Sequence, residues 1–338
     1  MYVVAVAYLH YWEEFVVESF TKSKLTEQQL VILTAAALGP EIGIINSREL
    51  TGGMFNAAYE LELSDGRAVI LKIAPPSGVE LLTYEHNIMQ AEVAALRLVH
   101  AAGKVPVPEV YAYDDSLQLY PSPFFFMEKI DGQPYNEVKE ELSAETRASI
   151  ETQLGIYNRE INELRGDRFG YFDNTGKRNE QDWRTTFKGM ILDILEDGQR
   201  LNAWLPAPVE EIKLEIDKYL PALDEVTVPR LVHWDLWNGN LFVKEGAISS
   251  IIDWERALWG DVLLEYYFRH FENSAAFHKG YGSEFTSPNE QRRIRLYDFY
   301  LDLILCIECY SRQYEDQDHR NWTQDNLQDS WERFINEA

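Results

Sequence analysis

The sequence predicts an α+β protein of two lobes: an N-terminal antiparallel sheet carrying one main helix, then a C-terminal lobe that is mostly helical. Three observations predict it. Between Ile42 and Ile73 the chain reads as strand, glycine turn, strand, tight turn, strand. Beyond Gly132 the apolar residues fall mostly at helical spacing. The length of 338 residues suits about two units of roughly 150 residues each.

The first 40 residues read as an N-terminal extension or helix. The opening MYVVAVAYLHYWEEF is apolar for nine residues, but it has no basic n-region and soon reaches His10 and Glu13. Neither a secretory signal nor a membrane span is expected there, and residues 1–24 are read as an accessory helix or strand. A helix is expected over 26–38, with Thr26 as cap, Gln29 at the capping-box position and Gly39-Pro40 as the stop.

The sheet lobe is predicted over 41–130. Strands are expected at 42–50, 57–63 and 68–73, the last two joined by the turn signal Ser64-Asp65-Gly66. The first two flank Thr51-Gly52-Gly53-Met54-Phe55-Asn56. Glycines there let the backbone come close to a phosphate and present N–H groups to it, although a plain hairpin turn would use the same residues. Lys72 sits among apolar neighbours in VILKIA, as a phosphate-binding ammonium or as a lysine on an exposed edge strand. The main helix is expected over 84–99. Its apolar stripe is Met89, Val93, Leu96 and Val99, and Glu92 borders it, placed to pair with Lys72. A buried strand follows at 124–127. The abrupt turn to Glu128-Lys129-Ile130-Asp131-Gly132 marks the boundary between the lobes.

In the second lobe, residues 131–338, helices are expected over 144–163, 181–197, 208–219, 263–272 and 289–314. Cys306 and Cys309 fall within the last of these. With no second C-x-x-C and no preceding strand, they read as buried helix residues in a reducing, cytoplasmic setting. The formal charge of −25 repels nucleic acid and anionic membranes, so neither is an expected partner, whereas cationic small molecules would be attracted.

The stretch from Leu231 to Asp261, LVHWDLWNGNLFVKEGAISSIIDWERALWGD, carries the chemistry. Two apolar β-rich runs, 241–243 and 248–252, flank a turn at 244–246, and Asp235, Asn240 and Asp253 stand at their ends. Buried carboxylates need cations or donors, and hard oxygen ligands of this kind suit magnesium. The pattern points to Asp235 accepting a proton while Asn240 and Asp253 hold magnesium on a nucleoside triphosphate.

Residues from about 50 to 261 resemble the aminoglycoside phosphotransferase and choline kinase group, small-molecule relatives of the protein kinases. The resemblance rests on His233-x-Asp235-x-x-x-x-Asn240, then Ile252-Asp253-Trp254-Glu255 and Gly260-Asp261. The glycine turn, Lys72, Glu92 and the Met127-Glu128 hinge fall in the same order. It implies a protein-kinase-like fold with ATP and Mg2+ as cofactors. Thr51 to Asn56 would cover the phosphates, Lys72 would contact the α- and β-phosphates with Glu92 as its partner, and the Glu128 carbonyl and Ile130 amide would take adenine. Asp235 would be the base, Asn240 and Asp253 the metal ligands, and His233 a structural tie. The chain departs from the family pattern at Trp234, where a small residue is common, and at Glu265, where aspartate is common.

The expected function is ATP-dependent phosphorylation of a hydroxyl on a small molecule, with cationic acceptors among those expected, by a monomer or homodimer. An aminoglycoside or other antibiotic leads as acceptor. Choline, ethanolamine, a fructosamine or another sugar forms the metabolic alternative, and a non-catalytic nucleotide-binding module is the second. Glu265, Glu272, Asp298, Asp302 and Glu308 were the acidic candidates for gripping ammonium groups, with Trp259, Tyr266, Tyr297 and Tyr300 as aromatic ones. The absence of D-F-G and A-P-E wording disfavours a protein kinase.

Overall fold

The computed structural model describes residues 24–51, 55–172, 178–266, 274–314 and 316–336. The accessory element expected over residues 1–24 therefore lies outside the described residues except for Lys24, and so do Gly52, Gly53 and Met54 of the glycine turn.

Helix α1 (Glu27–Leu38) has the capping box read from the sequence: Gln29 N donates to Thr26 Oγ1 at 3.3 Å and Thr26 N to Gln29 Oε1 at 2.9 Å. The strands β1 (Ile44–Leu50), β2 (Ala57–Leu63), β3 (Ala68–Ile73), β4 (Val110–Asp114) and β5 (Phe124–Glu128) form one antiparallel sheet in the order β1-β2-β3-β5-β4. Both faces of β5 are covered, which is why its sequence is apolar without alternation. Phe124 and Phe126 pack towards α1 with Leu30, Leu33 and Leu61. Phe125 and Met127 pack on the other face against Met89, Val93 and Leu96 of α2 (Ile88–Ala102).

The main helix starts later than its periodicity predicts. Thr83–Glu85 is a 3-10 turn, and Asn87 takes a left-handed φ of 63° just before α2. Tertiary docking overrides the local pattern here. Leu82 and Tyr84 are buried in the core of the helical lobe, and Thr83 N donates to Asp197 Oδ2 at 2.6 Å.

The second lobe begins with β6 (Gln133–Pro134) and the short α3 (Tyr135–Val138), followed by α4 (Ala144–Glu163). The strands β7 (Phe169–Tyr171), β8 (Asn179–Glu180), β9 (Arg230–Val232) and β12 (Leu258–Gly260) make a small sheet ordered β8-β7-β12-β9. Helices α5 (Trp183–Arg200), α6 (Val209–Tyr219), α8 (Pro288–Ser311) and α9 (Gln317–Asn336) share a core rich in aromatic side chains, and α7 (Ala275–Tyr281) packs on α4. Of the helix expected over 263–272, the described part is a 3-10 turn, Val262–Tyr266, and 267–272 lies outside the described residues. Both cysteines are free and buried on α8, as expected, and burial pushes Cys306 up to about 12 and Cys309 to about 11. Among the described residues no helix is long and apolar enough to cross a membrane.

The predicted hairpin is β10 (Leu241–Lys244) and β11 (Ala247–Ile251), antiparallel. Its turn places Glu245 and Gly246 at φ 52° and 79°, the left-handed pair that matches strand twist in a two-residue hairpin.

Candidate active site

Lys72 lies on β3, between β2 and β5, so it belongs to a central strand and not to an exposed edge. Its Nζ is 2.6 Å from Glu92 Oε1 and 2.8 Å from Asp253 Oδ1. The triad therefore joins a strand, a helix and the segment after the β10–β11 hairpin. Burial alone would strip the Lys72 proton, but the Asp253 and Glu92 charges more than offset it and raise its pKa. Burial raises Glu92, partly opposed by Lys72. Burial also works against the charged form of Asp253, yet Lys72 holds that carboxyl below its ordinary value.

The loop after β9 is tied from several sides. His233 Nε2 lies 2.9 Å from the Ile252 carbonyl, and its Nδ1 accepts from Asp235 N at 3.2 Å. That pairing requires a proton on Nε2 and none on Nδ1, and burial keeps the ring neutral by lowering its pKa to about 4. His233 is thus the structural tie expected. Asn240 Nδ2 donates to the Asp235 carbonyl at 2.8 Å and to Asp235 Oδ2 at 3.2 Å. Ile252 N donates to the Asn240 carbonyl at 3.0 Å, which sets Asn240 beside Asp253. Burial pushes Asp235 up to about 6, with the Arg256 charge pulling the other way.

Two residues here hold left-handed backbone that only glycine adopts freely: Trp234 at φ 60° and Asp253 at φ 65°. Glu265 supports the first. Its carboxylate accepts from Trp234 N at 2.9 Å and Leu236 N at 3.1 Å. Glu265 is one of the acidic candidates for an ammonium group; it is 1% exposed and committed to the loop backbone, so it has the structural role that was the alternative. Glu308 is likewise structural, since it lies 2.7 Å from Arg256 and 3.2 Å from Arg312 and accepts from Tyr84. Asp302 accepts from Asn326 at 2.6 Å, and Tyr297 donates to Asp261 at 2.8 Å. Glu272 lies outside the described residues.

The described part of the glycine turn faces the second lobe. Thr51 is exposed. Phe55 is buried, with the Arg312 guanidinium carbon 5.0 Å from its ring centre. The Asn56 side chain donates to Glu255 Oε2 at 2.9 Å, so this residue anchors the turn. At the hinge, Glu128 ends β5 with its N–H on the Glu109 carbonyl at 2.9 Å, and Ile130 follows on the way into β6.

One carboxylate oxygen each from Glu92, Asp253 and Glu255 lies within 4.8 Å of the others. These three carboxylates are a set of hard oxygen donors that fits a magnesium ion. Glu255, Arg256, Glu85 and Arg312 were not singled out from the sequence. A signal existed for one of them: an arginine three residues beyond a metal-type aspartate needs a carboxylate partner if it is buried. A narrow cleft opens beside this loop, lined by Tyr84, Tyr171, Trp234, Glu255 and Arg256.

Comparison with known proteins places the chain in a family. Residues 47–296 match the model of the phosphotransferase enzyme family. A Haemophilus somnus protein assigned as a fructosamine-3-kinase superposes with a TM-score of 0.66 at 18% identity, over 90% of this chain and 96% of its own. An aminoglycoside phosphotransferase, APH(4)-Ia, solved with AMP-PNP and hygromycin B, gives 0.62 at 16% identity, over 90% and 98%. At such identities these likenesses concern the fold, which is the kinase-like fold of two lobes. Among curated proteins, the probable acyl-CoA dehydrogenase IBR3 of Arabidopsis thaliana is 24% identical over 63% of this chain, and a subtelomeric hrmA-associated cluster protein of Aspergillus fumigatus is 27% identical over 40%. Each match spans only 26% of the relative's length. With the family model covering most of the chain and the whole of the Lys72–Glu92–Asp253 and Asp235–Asn240 constellation, this chain belongs to the phosphotransferase enzyme family.

Proposed function

We propose that this protein transfers the γ-phosphate of ATP to a hydroxyl group of a small molecule, with magnesium as cofactor. The observation that carries the reading is the Lys72 ammonium held between Glu92 and Asp253, within the same site as Asp235 and Asn240. A preset cation and a separate carboxylate with raised pKa are what phosphoryl transfer asks of a protein, because its catalysis is mostly positioning and charge stabilisation.

In this reading residues 41–130 form the ATP-binding lobe and 131–338 the catalytic and acceptor lobe. Lys72 contacts the α- and β-phosphates, and Glu92 orients it. The turn from Thr51 to Asn56 covers the phosphates through its backbone, while the Glu128 carbonyl and Ile130 N–H take the adenine edge. Asn240 and Asp253 hold magnesium, with Glu255 close enough to assist. When bound there, magnesium would supply charge neutralisation to the phosphates. Asp235 orients the acceptor hydroxyl and takes its proton as the new O–P bond forms and the bond to the β-phosphate oxygen breaks. ADP leaves with the electron pair of that bond. His233, Asn240 and Glu265 keep the loop rigid around the base.

The acceptor hydroxyl must reach Asp235, and the narrow cleft lined by Tyr84, Tyr171, Trp234, Glu255 and Arg256 lies beside that loop. Glu265, Glu308 and Asp302, offered by the sequence for ammonium groups, are engaged elsewhere. Arg256 is paired with Glu308 and Glu255 also lines the cleft, so both sugars and ammonium-bearing molecules belong in the test. The test is ATP consumption by the full chain with magnesium across sugars, fructosamines, choline, ethanolamine and aminoglycosides. Turnover that needs Asp235 and Asp253 supports the reading. MgATP binding without any transfer, unchanged in Asp235→Asn, would leave a non-catalytic nucleotide-binding module instead.

A further inference from the structure

The end of α8 carries a set of buried charges that joins two parts of the site from behind. Arg312 is 4% exposed. Its Nη2 is 2.7 Å from Glu85 Oε1 and 3.2 Å from Glu308 Oε1, and its Nη1 donates to Tyr314 at 3.1 Å. Glu308 is in turn 2.7 Å from Arg256, which lines the narrow cleft beside the catalytic loop alongside Trp234. Two arginines and two glutamates balance, so the group is neutral as a whole although each member is buried. Tyr84 lies across it, donating to Glu308 and receiving Arg256 over its ring at 5.8 Å. In the other direction the flat face of Arg312 covers Phe55 at 5.0 Å, in the phosphate turn of the opposite lobe.

We propose that Arg312 is a positioning residue: it fixes the phosphate turn through Phe55 and, through Glu308, the arginine beside the catalytic loop. Three features support this beyond general stability. The contacts run from the second lobe to the turn and to the segment before α2, which are parts of the first lobe. They are made by guanidinium planes, which hold an orientation that a lysine ammonium does not. The second anchor of the same turn, Asn56 on Glu255, lies one residue from Arg256, which shares Glu308 with Arg312, so the two anchors are linked through that glutamate. The phosphate turn is thus held from the second lobe at two consecutive residues.

This inference rests on the nucleotide reading above, and its experiment separates the two. MgATP affinity is measured for the full chain by calorimetry, and MgATP hydrolysis with water as acceptor gives KM and kcat. The variants are Arg312→Lys, Phe55→Leu, their double variant and Glu308→Gln, with a thermal midpoint for each. Arg312→Lys keeps a charge for Glu85 and Glu308 but loses the flat contact. It is expected to weaken MgATP binding about five- to thirtyfold, the span from an exposed to a desolvated cation–π contact. Phe55→Leu is expected to do the same, and the double variant to be no worse than either single one. Glu308→Gln is expected to lower kcat more than it raises KM. Multiplying losses in the double variant, or unchanged MgATP affinity in Arg312→Lys whatever its midpoint, would overturn the positioning role. Wild-type protein that binds no MgATP would instead overturn the nucleotide reading, and this inference with it.

Discussion

The backbone amide of Trp234 donates to Glu265 Oε2 at 2.9 Å, and the amide two residues on, Leu236, donates to Oε1 at 3.1 Å. Asp235 lies between them. One carboxylate therefore fixes both flanks of the residue proposed as base and holds Trp234 in its left-handed conformation. Glu265→Ala would leave two buried N–H groups without that acceptor, at about 1–3 kcal/mol each. We expect the urea midpoint to fall by an amount matching roughly 2–5 kcal/mol and phosphoryl transfer to drop at least 100-fold. A variant with the wild-type midpoint would show that the loop stands without Glu265.

Lys72 separates function from stability in a different way. Lys72→Met leaves Glu92, which is fully buried, without its cation, and breaking a buried pair costs about 3–5 kcal/mol. Adding Glu92→Gln removes the stranded charge. The double variant is expected to recover most of the lost stability in chemical denaturation while MgATP turnover stays lost. Recovery of turnover along with stability would mean that the ammonium serves the fold and not the nucleotide.

How much of this was legible in the sequence follows from the range of each interaction. The hairpin and its polar ends were readable because Asp235, Asn240 and Asp253 lie within one local strand-turn-strand pattern. The Lys72–Glu92 pair was readable because a strand and the next helix pack face to face, and Glu92 bordered an apolar stripe. Arg312 was not, because its partners Phe55 and Glu85 lie more than 200 positions earlier and its own surroundings look like an ordinary helix end. Glu265 stayed one candidate among several because a carboxylate that accepts from distant backbone amides has the same sequence appearance as one offered to a ligand. The late start of α2 was hidden for a related reason: the apolar pattern of Leu82 and Tyr84 belongs to the other lobe's core.

Asp298 gives a pH dependence of stability. Burial pushes its carboxyl up to about 8, against an ordinary value of 3.8, although Arg333 pulls the other way. Between those values the folded state holds the proton and the unfolded chain releases it, so the contribution is fully present below about pH 4 and is lost as pH rises to 8. Each pH unit in that window costs up to about 1.4 kcal/mol. Asp298→Asn removes the titration. Thermal midpoints of the two proteins are expected to converge near pH 4 and to separate towards pH 8, with the variant the more stable. Parallel curves would place the Asp298 proton equilibrium near its unfolded value.

The crossing of α4 and α7 depends on two glycines far from the site. A Cβ on Gly155 would meet the Phe277 carbonyl oxygen at 2.2 Å and Tyr281 N at 2.6 Å, and one on Gly280 would meet the Thr152 carbonyl oxygen at 2.0 Å. These obstacles are backbone atoms, so no side-chain rotation relieves them, and the helices must move apart. Overpacking of this kind costs about 1–3 kcal/mol, which sets the expected loss for Gly155→Ala or Gly280→Ala alone. Once one alanine has spread the helices, the second meets less resistance, so the double variant should fall short of the summed losses. The measurement is a set of urea unfolding curves for the two single variants and the double one, with MgATP affinity taken well below the midpoint. Undiminished affinity with reduced stability would locate the effect in the α4–α7 contact, whereas fully additive losses would show that each glycine is needed for a separate local reason.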